Sequence, residues 1–139
     1  MINFFSEDVD FQLDNPTSFS DWISAIIEEF DKELVEVNYI FCSDTYLHQV
    51  NVEYLDHDTY TDIITFDNSE NEAAIESDIF ISVDRVGENA KEVGVSFIRE
   101  MQRVMIHGVL HLIGYKDKTE SEAAEMRKQE EYCMGKFVY

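Results

Sequence analysis

One proline, five glycines, two cysteines and one tryptophan are spread over 139 residues. There are no repeats, low-complexity segments or Pro/Gly-rich linkers, so a single domain over residues 1–139 is expected. Cys42 and Cys133 are far apart and form no Cys-x-x-Cys pair, which argues against a disulfide framework and a zinc ribbon and leaves them as small buried apolar residues. No run approaches the roughly 18 apolar residues of a membrane span. The start, Met1-Ile2-Asn3-Phe4-Phe5, lacks the basic and then apolar regions of a signal peptide. The expected address is the cytoplasm, with no membrane partner.

Cations are scarce too. Ten Lys and Arg stand against 30 Asp and Glu, a formal charge of −20, so the chain is no general polyanion binder, and DNA is not an expected partner. Any phosphate binding has to rest on a local patch. Arg85, Lys91, Arg99 and Arg103 all fall within the thirty residues before His111, and Arg85, Arg99 and Arg103 are the candidate substrate-binding residues.

The chain does have apolar periodicity. Alternation over 2–13 reads as one strand or two short ones. Asn15-Pro16-Thr17 opens a helix over 17–32 in which Trp22, Ile23, Ile26, Ile27 and Phe30 recur at helical spacing. A strand is expected over 36–42, a helix capped by Ser43 or Asp44 through 54, a loop over 55–60, and a strand over 62–66. An acidic connector over 67–76 then leads to a strand over 78–83 and helices over 84–92 and 96–113. Thr119-Glu120-Ser121-Glu122 is a capping signature for a last helix reaching Met134. This order suits an α+β fold, a small mixed β-sheet covered by helices. The 96–113 helix is apolar nearly all round and should be the central buried one.

That helix carries His107-Gly108-Val109-Leu110-His111-Leu112-Ile113-Gly114-Tyr115-Lys116-Asp117. Histidines four apart share one helix face and can share one metal ion. Gly114 allows the left-handed backbone that turns the chain back, so that Asp117 can become a third ligand. Two imidazoles and a carboxylate leave a fourth tetrahedral position open, the pattern of a catalytic zinc site, and a hydrolase is the first expectation. In His-Glu-x-x-His zincins the residue after the first histidine is the general base; here it is Gly108, which weakens a metzincin-like metalloprotease reading. A glycine there is expected to let a bulky substrate approach the helix. Metal-activated water attacking a phosphodiester is chemically permitted. The same ligand types also serve non-haem iron oxygenases.

These residues resemble the bacterial YbeY-type endoribonucleases, whose hallmark is His-Gly-x-Leu-His-Leu-x-Gly-Tyr-Asp-His. Asn51-x-x-Tyr54, Asp58-x-x-Thr61-Asp62-Ile63-Ile64-Thr65-Phe66, Asp78-Ile79-x-Ile81-Ser82, and Met126 followed by Glu130 are similar to the family as well. The resemblance implies a single-strand-specific, zinc-dependent endoribonuclease of small-subunit ribosomal RNA maturation and ribosome quality control. It implies one Zn2+ per chain, held by His107, His111 and Asp117, which are also the candidate catalytic residues. The expected partners are single-stranded or ribosomal RNA, ribosomal small-subunit proteins and assembly factors. Two departures stand out: the family's third ligand is usually histidine where Asp117 stands, and an arginine that commonly follows the Asn-x-x-aromatic stretch is Leu55 here. Arg85, Arg103 or His57 are candidate substitutes for that guanidinium. The competing reading is a ribosome-assembly binding factor with a structural metal and vestigial nuclease activity.

Overall fold

A computed structural model describes residues 1–56 and 59–138; His57 and Asp58, cited above, lie outside the described residues. Among those described, the elements are β1 (Ile2–Ser6), α1 (Pro16–Glu29), β2 (Glu33–Cys42), α2 (Asp44–Leu55), β3 (Ile63–Asp67), β4 (Ala74–Ser82), α3 (Val83–Val93), α4 (Phe97–Ile113) and α5 (Glu120–Met134). The sheet order is β1-β2-β4-β3, with β1 and β4 parallel to β2 and β3 antiparallel to β4. This is the expected α+β arrangement with a mixed sheet. No helix among the described residues is long and apolar enough to cross a membrane.

Strand alternation sends two sets of side chains to two helical layers. Val37, Tyr39 and Phe41 of β2 and Ile75, Ile79 and Ile81 of β4 join a core with α1, α4 and α5, while Ile64 of β3 meets Leu47 and Val50 of α2 in a separate cluster. Helix α4 lies in the middle of the larger layer, touching α1, α3, α5, β3 and β4. Two side chains bond across this layer: the Tyr39 hydroxyl donates to the Met105 carbonyl at 3.0 Å, and the Trp22 indole N–H donates to the Cys133 carbonyl at 2.8 Å.

Several boundaries differ from expectation, among them the end of α1 at Glu29 and not 32. β1 ends at Ser6, and the rest of 2–13 is not strand. β2 begins at Glu33 and β4 at Ala74, which pair with each other, so the two ends of the expected acidic connector, Asp67 and residues 74–76, are strand. The acidic composition hid an alternation: Ile75 and Ser77 are buried, while Glu76 and Asp78 are half-buried on the opposite sheet face.

Helix ends match their chemistry. The Ser96 side chain accepts from the Arg99 N–H to start α4, and Thr119 and Glu122 form a reciprocal capping box at α5. At the end of α4 the Tyr115 N–H returns to the Leu110 carbonyl at 3.0 Å and the Gly114 N–H to that of His111 at 3.1 Å, a Schellman-type stop. Gly114 has φ +128° and ψ 0°, a backbone that L side chains rarely adopt.

Candidate metal centre

The Schellman turn delivers Asp117 back to the helix face it left. Asp117 Oδ2 lies 3.4 Å from His107 Nε2, and Oδ1 lies 3.6 Å from His111 Nε2. One ligand atom from each of the three residues falls within 4.8 Å of the others. Ligands of a tetrahedral zinc ion at ordinary bond lengths are roughly 3.3 Å apart. The imidazoles stand edge to face, ring centroids 5.3 Å apart.

The donor chemistry fits a divalent cation. Nδ1 of His111 faces the Tyr115 carbonyl at 3.0 Å, and Nδ1 of His107 faces Glu130 Oε2 at 2.7 Å. A carbonyl and an ionised carboxylate can only accept, so both Nδ1 atoms carry hydrogen, and when the ring is neutral each Nε2 keeps its lone pair on the side of Asp117. Burial pulls the His107 pKa down, but the hydrogen bond and charge of Glu130, with help from Asp117 and Asp62, outweigh it and raise the imidazole above its ordinary value. A +2 ion there would compete with protons for a site rich in negative charge.

Behind His107 lies a buried charged chain. Arg103, one turn earlier on α4, pairs with Glu100 and approaches Glu130 at 3.9 Å. Glu100 is 2% exposed and Glu130 3%. Burial raises the Glu100 pKa, against the opposing pull of Arg103. Two cavities open beside the triad. One, of about 280 Å³, is lined by Asp62, Arg103, His107, Asp117, Arg127 and Glu130, among others. The second, of about 390 Å³, runs past Asn51, Leu55, Thr59, Thr61, His107 and His111. Asn51 is buried and donates to the Thr59 carbonyl at 2.9 Å, holding one wall of the second cavity.

The three candidate arginines are not brought together as a free patch. Arg103 alone of them lines a cavity next to His107. Arg85 is bound to Asp44 at 2.8 Å and to Glu88 at 3.3 Å, and Arg99 faces Glu131 at 3.5 Å. Leu55 lines the second cavity with an apolar side chain. Gly108 does not face substrate: it is buried, and a Cβ there would meet Ile63 Cδ1 at 3.0 Å, Ile79 Cδ1 at 3.3 Å and Thr65 Oγ1 at 3.4 Å. The glycine lets α4 sit against β3 and β4. A glutamate at that position would be driven into the sheet, away from the metal-facing side.

Glu130, Asp62 and Arg127 were missing from the site residues expected from the sequence. The pairing of Met126 with Glu130 in the resemblance was the one available signal for Glu130; Asp62 also lay within a quoted motif but carried no role there.

The model of the family described as "Endoribonuclease YbeY" matches residues 2–138. A protein named Endoribonuclease YbeY from Flavobacterium johnsoniae is 51% identical over 137 residues, covering 99% of this chain and 97% of that protein. One of the same name from Amoebophilus asiaticus is 49% identical over 133 residues, covering 96% and 90%. The solution structure of a Thermotoga maritima protein superposes with a TM-score of 0.68 at 25% identity, covering 99% of this chain and 89% of that one.

Proposed function

The chain belongs to the YbeY endoribonuclease family, and from that premise we propose that residues 1–139 act as a zinc-dependent hydrolase that cuts single-stranded RNA in small-subunit ribosomal RNA maturation and ribosome quality control. The observation that carries the reading is the pair of imidazole Nε2 atoms facing one carboxylate beside an open polar cavity.

His107, His111 and Asp117 hold the metal in this reading. Zinc bound there supplies Lewis acidity, polarising a phosphoryl oxygen and making water a better nucleophile at neutral pH. The chain's own residues do the rest. Tyr115 and Glu130 keep the Nδ1 protons in place, so the imidazoles stay oriented. The Arg103 guanidinium, 22% exposed, faces the cavity where a phosphate oxygen would gather charge. Leu55 and Ile63 line the second cavity with apolar surface, restricting water on the side where a nucleobase or ribose would lie.

A binding-factor reading, with ribosomal small-subunit proteins as partners and a structural metal, draws on a different observation, the charge of −20. Basic proteins suit such a surface better than RNA does. One experiment separates the two. The purified protein is stripped with chelator, reloaded with zinc and assayed on a single-stranded RNA, beside His111→Ala. Cleavage should vanish on stripping, return with zinc and be absent from the variant. Intact RNA from the zinc-loaded protein would leave the binding reading standing.

A further inference from the structure

We propose that Glu130 is the positioning residue that sets the tautomer of His107, and that Arg103 decides which end of the Glu130 side chain does so. The inference rests on the reading of His107 as a metal ligand given above, but its first measurement does not need a metal.

The two oxygens of Glu130 have different neighbours. Oε2 is 2.7 Å from His107 Nδ1, and Oε1 is 3.9 Å from Arg103 Nη1. The other end of that guanidinium pairs with Glu100, which is itself buried on α4. Glu130 sits on α5, so the contact between α4 and α5 brings an acceptor to Nδ1 that the histidine's own helix does not provide. A neutral imidazole has one N–H, and of the two carboxylates that face the ring, Glu130 at 2.7 Å from Nδ1 is within hydrogen-bond reach while Asp117 at 3.4 Å from Nε2 is at its edge, so the proton goes to Nδ1. The Nε2 lone pair is thereby left on the side of Asp117 and His111.

Shape and chemistry make opposite forecasts for Glu130→Gln. If Glu130 only fills space, glutamine is a near-perfect replacement. If it directs a proton, glutamine is a poor one, because an amide has an acceptor at one end and a donor at the other. Arg103 has only donors, so the amide oxygen turns to it and the NH2 group is left facing Nδ1. Nδ1 must then accept, the ring proton moves to Nε2, and the atom aimed at the metal site loses its lone pair. Removing Arg103 frees the amide to turn its oxygen back to Nδ1.

The test uses 15N-detected imidazole spectra of the metal-free protein, at a pH where His107 is neutral, with zinc affinity from competition against a chromophoric chelator. Melting curves check folding. The wild type should show Nδ1–H. Glu130→Gln should show Nε2–H and bind zinc roughly 10- to 100-fold more weakly. The pair Glu130→Gln with Arg103→Met should return to Nδ1–H and recover most of the affinity. An Nε2–H tautomer in the wild type overturns the proposal without any variant. So does a folded Glu130→Gln protein with unchanged tautomer and affinity, while a pair that recovers neither overturns the part assigned to Arg103. If the tautomers behave as expected but the wild type binds no zinc, the proposed function fails and this inference stands.

Discussion

A zinc titration on a chain with two thiols raises the question of whether sulfur competes for the metal. Cys42 and Cys133 are both fully buried, and burial, helped by nearby carboxylates, pushes each thiol up to about 12. The thiolate, which is the nucleophile and the metal ligand, is then a fraction of roughly 10⁻⁴ at pH 8. Because the pKa is raised, that fraction grows only as pH climbs toward the folded value. Native protein should leave Ellman's reagent uncoloured through pH 9, and two thiols should react in denaturant. A thiol reacting within minutes in the native state would mean a more open site than the packing indicates. Zinc uptake by the native protein would accordingly report on the His107, His111 and Asp117 group and not on the thiols. These three were legible because their geometry is local: one helical turn and one glycine stop set it. Glu130 was not, since a residue 23 positions after His107 reaches it only through helix packing, and spacing carries no information about that.

At the scale of elements, the periodicity of α4 identified a buried helix but not which side meets the sheet. A helix apolar nearly all round has no unique inward face, so nothing in its pattern shows that Gly108, expected to let a bulky substrate approach, instead faces β3 and β4. Gly108→Ala sets two effects against each other. Alanine gains about 1 kcal/mol in helix propensity, while overpacking costs about 1–3 kcal/mol. The added methyl would be close to Ile63, Ile79 and Thr65 together, so relief from one neighbour presses on another. Overpacking should win by about 1 kcal/mol, lowering Tm by about 3–5 °C. An alanine variant that melts higher than wild type would show that the two isoleucine tips give way freely. The strand boundaries were harder to read for a similar reason: acidic residues on the solvent side of β4 masked the buried alternation of Ile75 and Ser77.

For the molecule as a whole, the charge of −20 limits how RNA can be held. Each phosphate contact on a single strand contributes about −0.7 to the slope of log affinity against log salt. Arg85 and Arg99 are paired with acids and line neither cavity beside His107, whereas Arg103 and Arg127 line the same one. Two contacts give a slope of about −1.4. The long-range repulsion between an acidic surface and the phosphates weakens as salt rises, which flattens the slope further. Binding should be measured in the chelator-stripped protein, whose loss of cleavage lets the RNA survive. The expected slope is shallower than about −2. Arg127→Ala in that state should remove about 0.7 of it, and Arg85→Ala should leave it unchanged. A slope of about −4 or steeper would require several more phosphate contacts than the cavity walls supply. The RNA path would then have to run over Lys and Arg residues outside the site, and equal effects from Arg85→Ala and Arg127→Ala would lead to the same conclusion.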